Sequence, residues 1–137
     1  MSRKLLKVTN VILALITIVV AGASFISGID SPIYGSEAIP PIPSLDSNLR
    51  FMGGLGLGLG FALLWITPTI DKQGALFKLI WICALLGGIG RLVSMAVIGS
   101  PPMPLVVFTL IEVPSVPLLI YWQNQIAKVS SADSKVE

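Results

Sequence analysis

The chain has 137 residues, 54% of them hydrophobic and 12% charged, with a formal net charge of +2. About half the charged share of a soluble domain cannot cover a water-facing surface, so an ordinary globular protein is excluded. With no histidine and one cysteine, histidine-based acid–base catalysis, the familiar triads, haem and copper sites, an internal disulfide and thiolate clusters are excluded as well.

Four apolar runs follow in chain order. The first covers about residues 8–28. Arg3, Lys4 and Lys7 precede it, and Ala21-Gly22-Ala23 imitates a cleavage site, as in a secretory signal. Because further spans follow, a retained membrane helix is expected. The stretch from Ile29 to Asn48 carries Pro32, Pro40, Pro41 and Pro43 among Asp30, Glu37 and Asp46. Its prolines oppose a long helix, while Ile33, Tyr34, Ile39 and Ile42 are too apolar for a solvated linker. The expectation is an ordered, proline-rich cap on the outer membrane surface.

The second run, about residues 49–67, is rich in glycine. Gly54, Gly56, Gly58 and Gly60 form overlapping small-xxx-small pairs that would let neighbouring helices approach on two adjoining faces. A phosphate cradle is disfavoured, since no Lys-Ser/Thr accompanies these glycines. Asp46 or Ser47 is expected to cap this helix, with Arg50 one turn beyond Asp46. In the alternative, Arg50 reaches down towards Glu112 and makes a polar pocket beneath the cap.

The third run spans about residues 76–98 and holds Gly87, Gly88 and Arg91, with Cys83 read as a small packing residue. Gly99-Ser100-Pro101-Pro102 turns the chain into the fourth run, about residues 103–122, so the two form a helical hairpin. This last run carries Glu112, Pro114 and Pro117. The prolines leave the carbonyls of Leu110 and Val113 without their usual donors and kink the helix. Residues 128–137 read as a flexible, solvated tail.

Charges inside apolar spans carry the most information. Counted from the turn, Arg91 and Glu112 both lie roughly 15 Å down their antiparallel helices, so they can meet. They form either a structural pair pinning the hairpin or a binding or proton-relay site, and the segment from Glu112 to Pro117 is the first choice for a functional cavity. Arg3, Lys4, Lys7, Lys72, Lys78, Lys128 and Lys135 fall on one side if both termini are cytoplasmic. Trp65, Trp81 and Trp122 would then share the inner interface.

The segment from Leu45 to Gly54, with Asp46, Arg50 and Phe51, resembles a bacterial four-helix membrane family known as domain of unknown function 4345. So do Gly87-Gly88-Ile89-Gly90-Arg91, the Pro101-Pro102 turn and Glu112 ahead of two prolines. The resemblance runs from about residue 10 to 125. It implies a small bacterial inner-membrane protein, singles out Asp46, Arg50, Arg91 and Glu112, and brings no established activity.

The expected architecture is a single all-α transmembrane four-helix bundle over residues 1–127. Its favoured role is that of a non-catalytic accessory or scaffold subunit, with membrane lipid and a larger membrane complex or homo-oligomer as partners. The alternatives are a binder of a lipid-like, quinone-like or small anionic ligand at Arg50, Arg91 and Glu112, and an enzyme using Glu112 as acid or base. No cofactor, metal or nucleic acid is expected.

Overall fold

In lipid the backbone has no water to bond, so an apolar run closes its hydrogen bonds internally as a helix. The computed structural model describes residues 2–35 and 40–133, the side chains of 131–133 excepted. Its helices are α1 (Arg3–Ser27), α2 (Pro43–Ile66), α3 (Gly74–Val97) and α4 (Met103–Asp133), with no strand among the described residues. All four are long and apolar enough to cross a membrane, as in a multi-pass membrane protein. At a rise of about 1.5 Å per residue, even the shortest exceeds a hydrocarbon core about 30 Å thick.

Local chemistry sets the helix ends. Ser2 caps α1, its hydroxyl accepting from the Leu5 N–H, and Gly28 at φ 55° ends it. A 3₁₀ turn at Gly28–Asp30 and another at Pro32–Tyr34 follow. They represent the expected cap, although Glu37 and Ile39 fall outside the described residues. α2 starts six residues before the expected 49, because Pro43 suits a first helical position where no N–H is needed. Asp46 therefore sits inside the first turn and Ser47 just beyond it; Ile42 holds the cap position and no side chain caps α2.

The fourth helix passes through Pro114 and Pro117 without interruption and continues beyond the expected end at 122. Residues 128–133, expected as flexible tail, belong to it. Ile126 is buried there and the Ser130 hydroxyl donates to Asp71, which together hold these turns.

α1 packs closely on α2, and α3 on α4, whereas the two hairpins meet through a much thinner contact. The apolar core that joins them lies mainly in the half nearer the termini. It comprises Leu6 and Ala14 of α1, Leu63 and Ile66 of α2, Ile70, Phe77, Ile80 and Trp81, and Val116, Leu119 and Ile126 of α4. Trp81, expected at the inner interface, is thus a core residue tilted against Phe77, whereas Trp65 is exposed. Cys83, expected to pack, is exposed.

Candidate functional site

The glycines of α2 divide by face. A Cβ on Gly53 would stand 2.5 Å from the Phe25 backbone nitrogen and 2.8 Å from the Ala21 carbonyl oxygen. On Gly56 it would lie 2.7 Å from the Ala21 Cβ, and on Gly60 2.6 Å from Ile18 Cγ1. The backbones of α1 and α2 therefore meet along Gly53, Gly56 and Gly60, a face to which the Gly56/Gly60 small-xxx-small pair belongs and the Gly54/Gly58 pair does not. Gly54 touches the Phe25 ring at ordinary distance, while Gly58 has open space and does not face a helix. On α3, Gly88 admits Val113 of α4 so closely that a Cβ would stand 2.7 Å from its methyl, but Gly87 and Gly90 are open.

At the end of the bundle away from the termini, Asp46 and Arg50 bind the end of α1. Arg50 Nε donates to Asp46 Oδ2 at 2.8 Å, and its Nη1 donates to the carbonyls of Ile26 at 2.6 Å and Phe25 at 3.2 Å. These are terminal helix carbonyls without intrahelical donors, at the negative end of the helix dipole. Asp46 Oδ1 accepts the Ile29 N–H at 3.0 Å. Arg50 is thus engaged at its own level, where it closes α1 against α2, and does not make the pocket with Glu112.

Arg91 and Glu112 are brought together, Nη1 lying 3.5 Å from Oε2. Glu112 follows the buried Thr109 by three residues and precedes the buried Val116 by four, so it stands on the bundle-facing side of α4. Arg91 follows Gly88, packed on Val113, by three and the core residue Ile80 by eleven. Both charges therefore face the bundle in the half that the apolar core does not fill. Their side chains remain 43% and 31% exposed, and no other described residue hydrogen-bonds either charged group. Helical rise puts Arg91 about 9 Å from the end of α3 and Glu112 about 13 Å from the start of α4, well inside the spans. Beside them, the Ser115 hydroxyl donates to the Glu112 carbonyl.

A second polar cluster, missed by the sequence reading, lies at the termini end. Asn10 Nδ2 donates to the Leu63 carbonyl at 2.9 Å and to Thr67 Oγ1 at 2.8 Å, and Gln123 Nε2 donates to the Ile70 carbonyl at 3.0 Å. Arg3 meets Asp71 at 2.6 Å and Lys7 donates to the Pro68 carbonyl. Burial pushes the Asp71 carboxyl up, but its own backbone N–H, the Arg3 charge and the Ser130 hydroxyl outweigh that and hold it below its usual value. These contacts clasp the α2–α3 connection between α1 and α4. A seven-residue polar spacing in α1, Asn10, Thr17 and Ser24, was the available signal: Asn10 and Ser24 are buried on one face.

Over residues 5–123 the chain matches the family described as Domain of unknown function (DUF4345). Neither a curated protein nor a solved structure matches it.

Proposed function

The chain belongs to the family described as domain of unknown function 4345, and from that premise we propose that it holds the polar head of an amphipathic, lipid-like molecule at Arg91 and Glu112. One observation carries this reading: a half-open ion pair, without hydrogen bonds, stands inside two membrane-spanning helices beyond the end of the apolar core. Charges at such depth are costly and normally face a partner or a wet cavity. Arg50 has three oxygen partners of its own; among the described residues, Arg91 pairs only with Glu112.

The proposed setting is a bacterial inner membrane with both termini in the cytoplasm. Arg3, Lys4, Lys7, Lys72, Lys78 and Lys128 at the termini end support that orientation, which places the site in the outer leaflet. Native mass spectrometry of the full chain, extracted in mild detergent, tests the binding reading. Wild type is expected to carry a small-molecule adduct that Arg91→Gln loses while keeping its helicity. An adduct indifferent to that substitution, or none at all, overturns it.

The open faces at Gly58, Gly87 and Gly90 favour a second reading, an accessory subunit packing on helices of a larger membrane complex or another copy. Gly87→Leu is then expected to release a stoichiometric partner that co-purifies with wild type. An unchanged co-purification profile would count against it.

A further inference from the structure

Arg91–Glu112 is the loosest of three ion pairs among the described residues, at 3.5 Å against 2.6 Å for Arg3–Asp71 and 2.8 Å for Arg50–Asp46. Nearby hydroxyls do not support it. Ser115 and Thr109 both donate to main-chain carbonyls, of Glu112 and Leu105. An anion entering from the open side therefore competes with a single partner for the guanidinium. Arginine's planar fork suits carboxylate, phosphate and sulfonate heads, which it takes in two parallel hydrogen bonds.

Once displaced, the Glu112 carboxylate has no second cation within reach among the described residues. No charged residue lies between Lys7 and Asp30, nor between Arg50 and Asp71, which is paired with Arg3. Arg50 is held by Asp46 and the end of α1. The 3₁₀ turns near α4 contribute only Asp30 and Tyr34, whose hydroxyl donates to Ser24. α3 contributes Lys78 and Cys83, more than three and more than two turns on the core side of Arg91, and α4 otherwise only Tyr121, Lys128 and Asp133 towards its termini end. A carboxylate stranded among apolar helices without donors is neutralised by taking a proton.

Resting on the binding site proposed above, we infer that Arg91 receives the singly charged anionic head of an apolar-tailed molecule, and that each binding event is coupled to uptake of one proton by Glu112. The balance closes. The incoming head replaces the carboxylate at the guanidinium, the carboxylate takes one proton from water, and the site is neutral before and after. That neutrality is what lets an anion enter the membrane interior without leaving a net charge there.

The test is equilibrium binding of radiolabelled dodecyl sulfonate, ionised at every working pH, to the full chain in a neutral maltoside detergent, with proton uptake read in weakly buffered solution. Wild type is expected to take up one proton per anion bound, its affinity falling about tenfold per pH unit on the alkaline side. Glu112→Gln, already neutral, should bind at least as tightly, with a flat pH profile and no proton uptake. Arg91→Gln should lose at least about tenfold in affinity with its circular dichroism unchanged. Sulfonate binding that needs Arg91 but is flat in pH and takes up no proton would overturn the coupling and leave the site standing. Saturable binding of the dodecyl trimethylammonium analogue instead would overturn the anionic class alone. Saturable binding of neither probe, or binding indifferent to both substitutions, overturns the site itself.

Discussion

At Gly53 the backbones of α1 and α2 come so close that a side chain there meets main chain that cannot rotate away. Gly53→Leu is expected to lower stability by about 1–3 kcal/mol, the usual cost of overpacking, while Gly58→Leu leaves thermal unfolding in detergent unchanged because its surroundings are open. Equal melting of the two variants would refute this assignment of faces. At Gly28 two restraints coincide: φ is +55° and an added Cβ would overlap Asp46 Oδ1. Asp71 supplies the pH dependence. Its folded carboxyl titrates below the usual 3.8, so the unfolded chain binds the proton more readily. The stabilisation is fully present above that value and is lost as pH falls through the depressed one. Thermal unfolding in detergent should show an acid-side loss that Asp71→Asn removes; an unchanged profile in that variant would place the loss elsewhere.

Between elements, polar side chains do what apolar packing cannot do in lipid, where tails are as apolar as leucine. Asn10 ties α1 to the end of α2 through two hydrogen bonds. Asn10→Leu keeps the volume and removes both, and a loss of about 1 kcal/mol is expected in a denaturation series. Arg50 does the same at the opposite end, so Arg50→Leu should lower the melting temperature without touching ligand binding at Arg91. Impaired binding in that variant would mean that the two arginines share one site. Asn10 and Gln123 went unnoticed in the sequence because a single polar residue near the end of an apolar run reads as a span boundary. Only the packing of α1 and α4 around the α2–α3 connection makes them internal.

At the scale of the whole molecule, two close hairpins join through a core concentrated in one half. That asymmetry leaves the charged pair open. A double-mutant cycle on Arg91→Leu and Glu112→Leu should give a coupling of about 1 kcal/mol, below the 3–5 kcal/mol lost on breaking a fully buried pair, since the side chains are 43% and 31% exposed. Strictly additive losses would refute the pairing. The orientation proposed above is checked by thiol labelling in intact cells on a Cys83→Ser background. Lys72→Cys should be shielded and Ser100→Cys reactive, and labelling of both from the same side would rule out a single crossing by α3 between them.

The sequence by itself determined the helices, their number and the hairpin turn, because apolar length, proline placement and the backbone's need for internal hydrogen bonds are properties of a run of residues. It also located Asp46, Arg50, Arg91 and Glu112, since a charge is conspicuous in a span that excludes charge. What each of them touches belonged to the tertiary structure alone. Arg50 and Arg91 are both arginines near the far ends of apolar helices. One meets the terminal carbonyls of α1 because Gly53, Gly56 and Gly60 draw α1 against α2; the other stands beside a lone carboxylate because the core stops short of it. Helix formation is decided within about one turn of chain, but which face is covered depends on the neighbour that covers it.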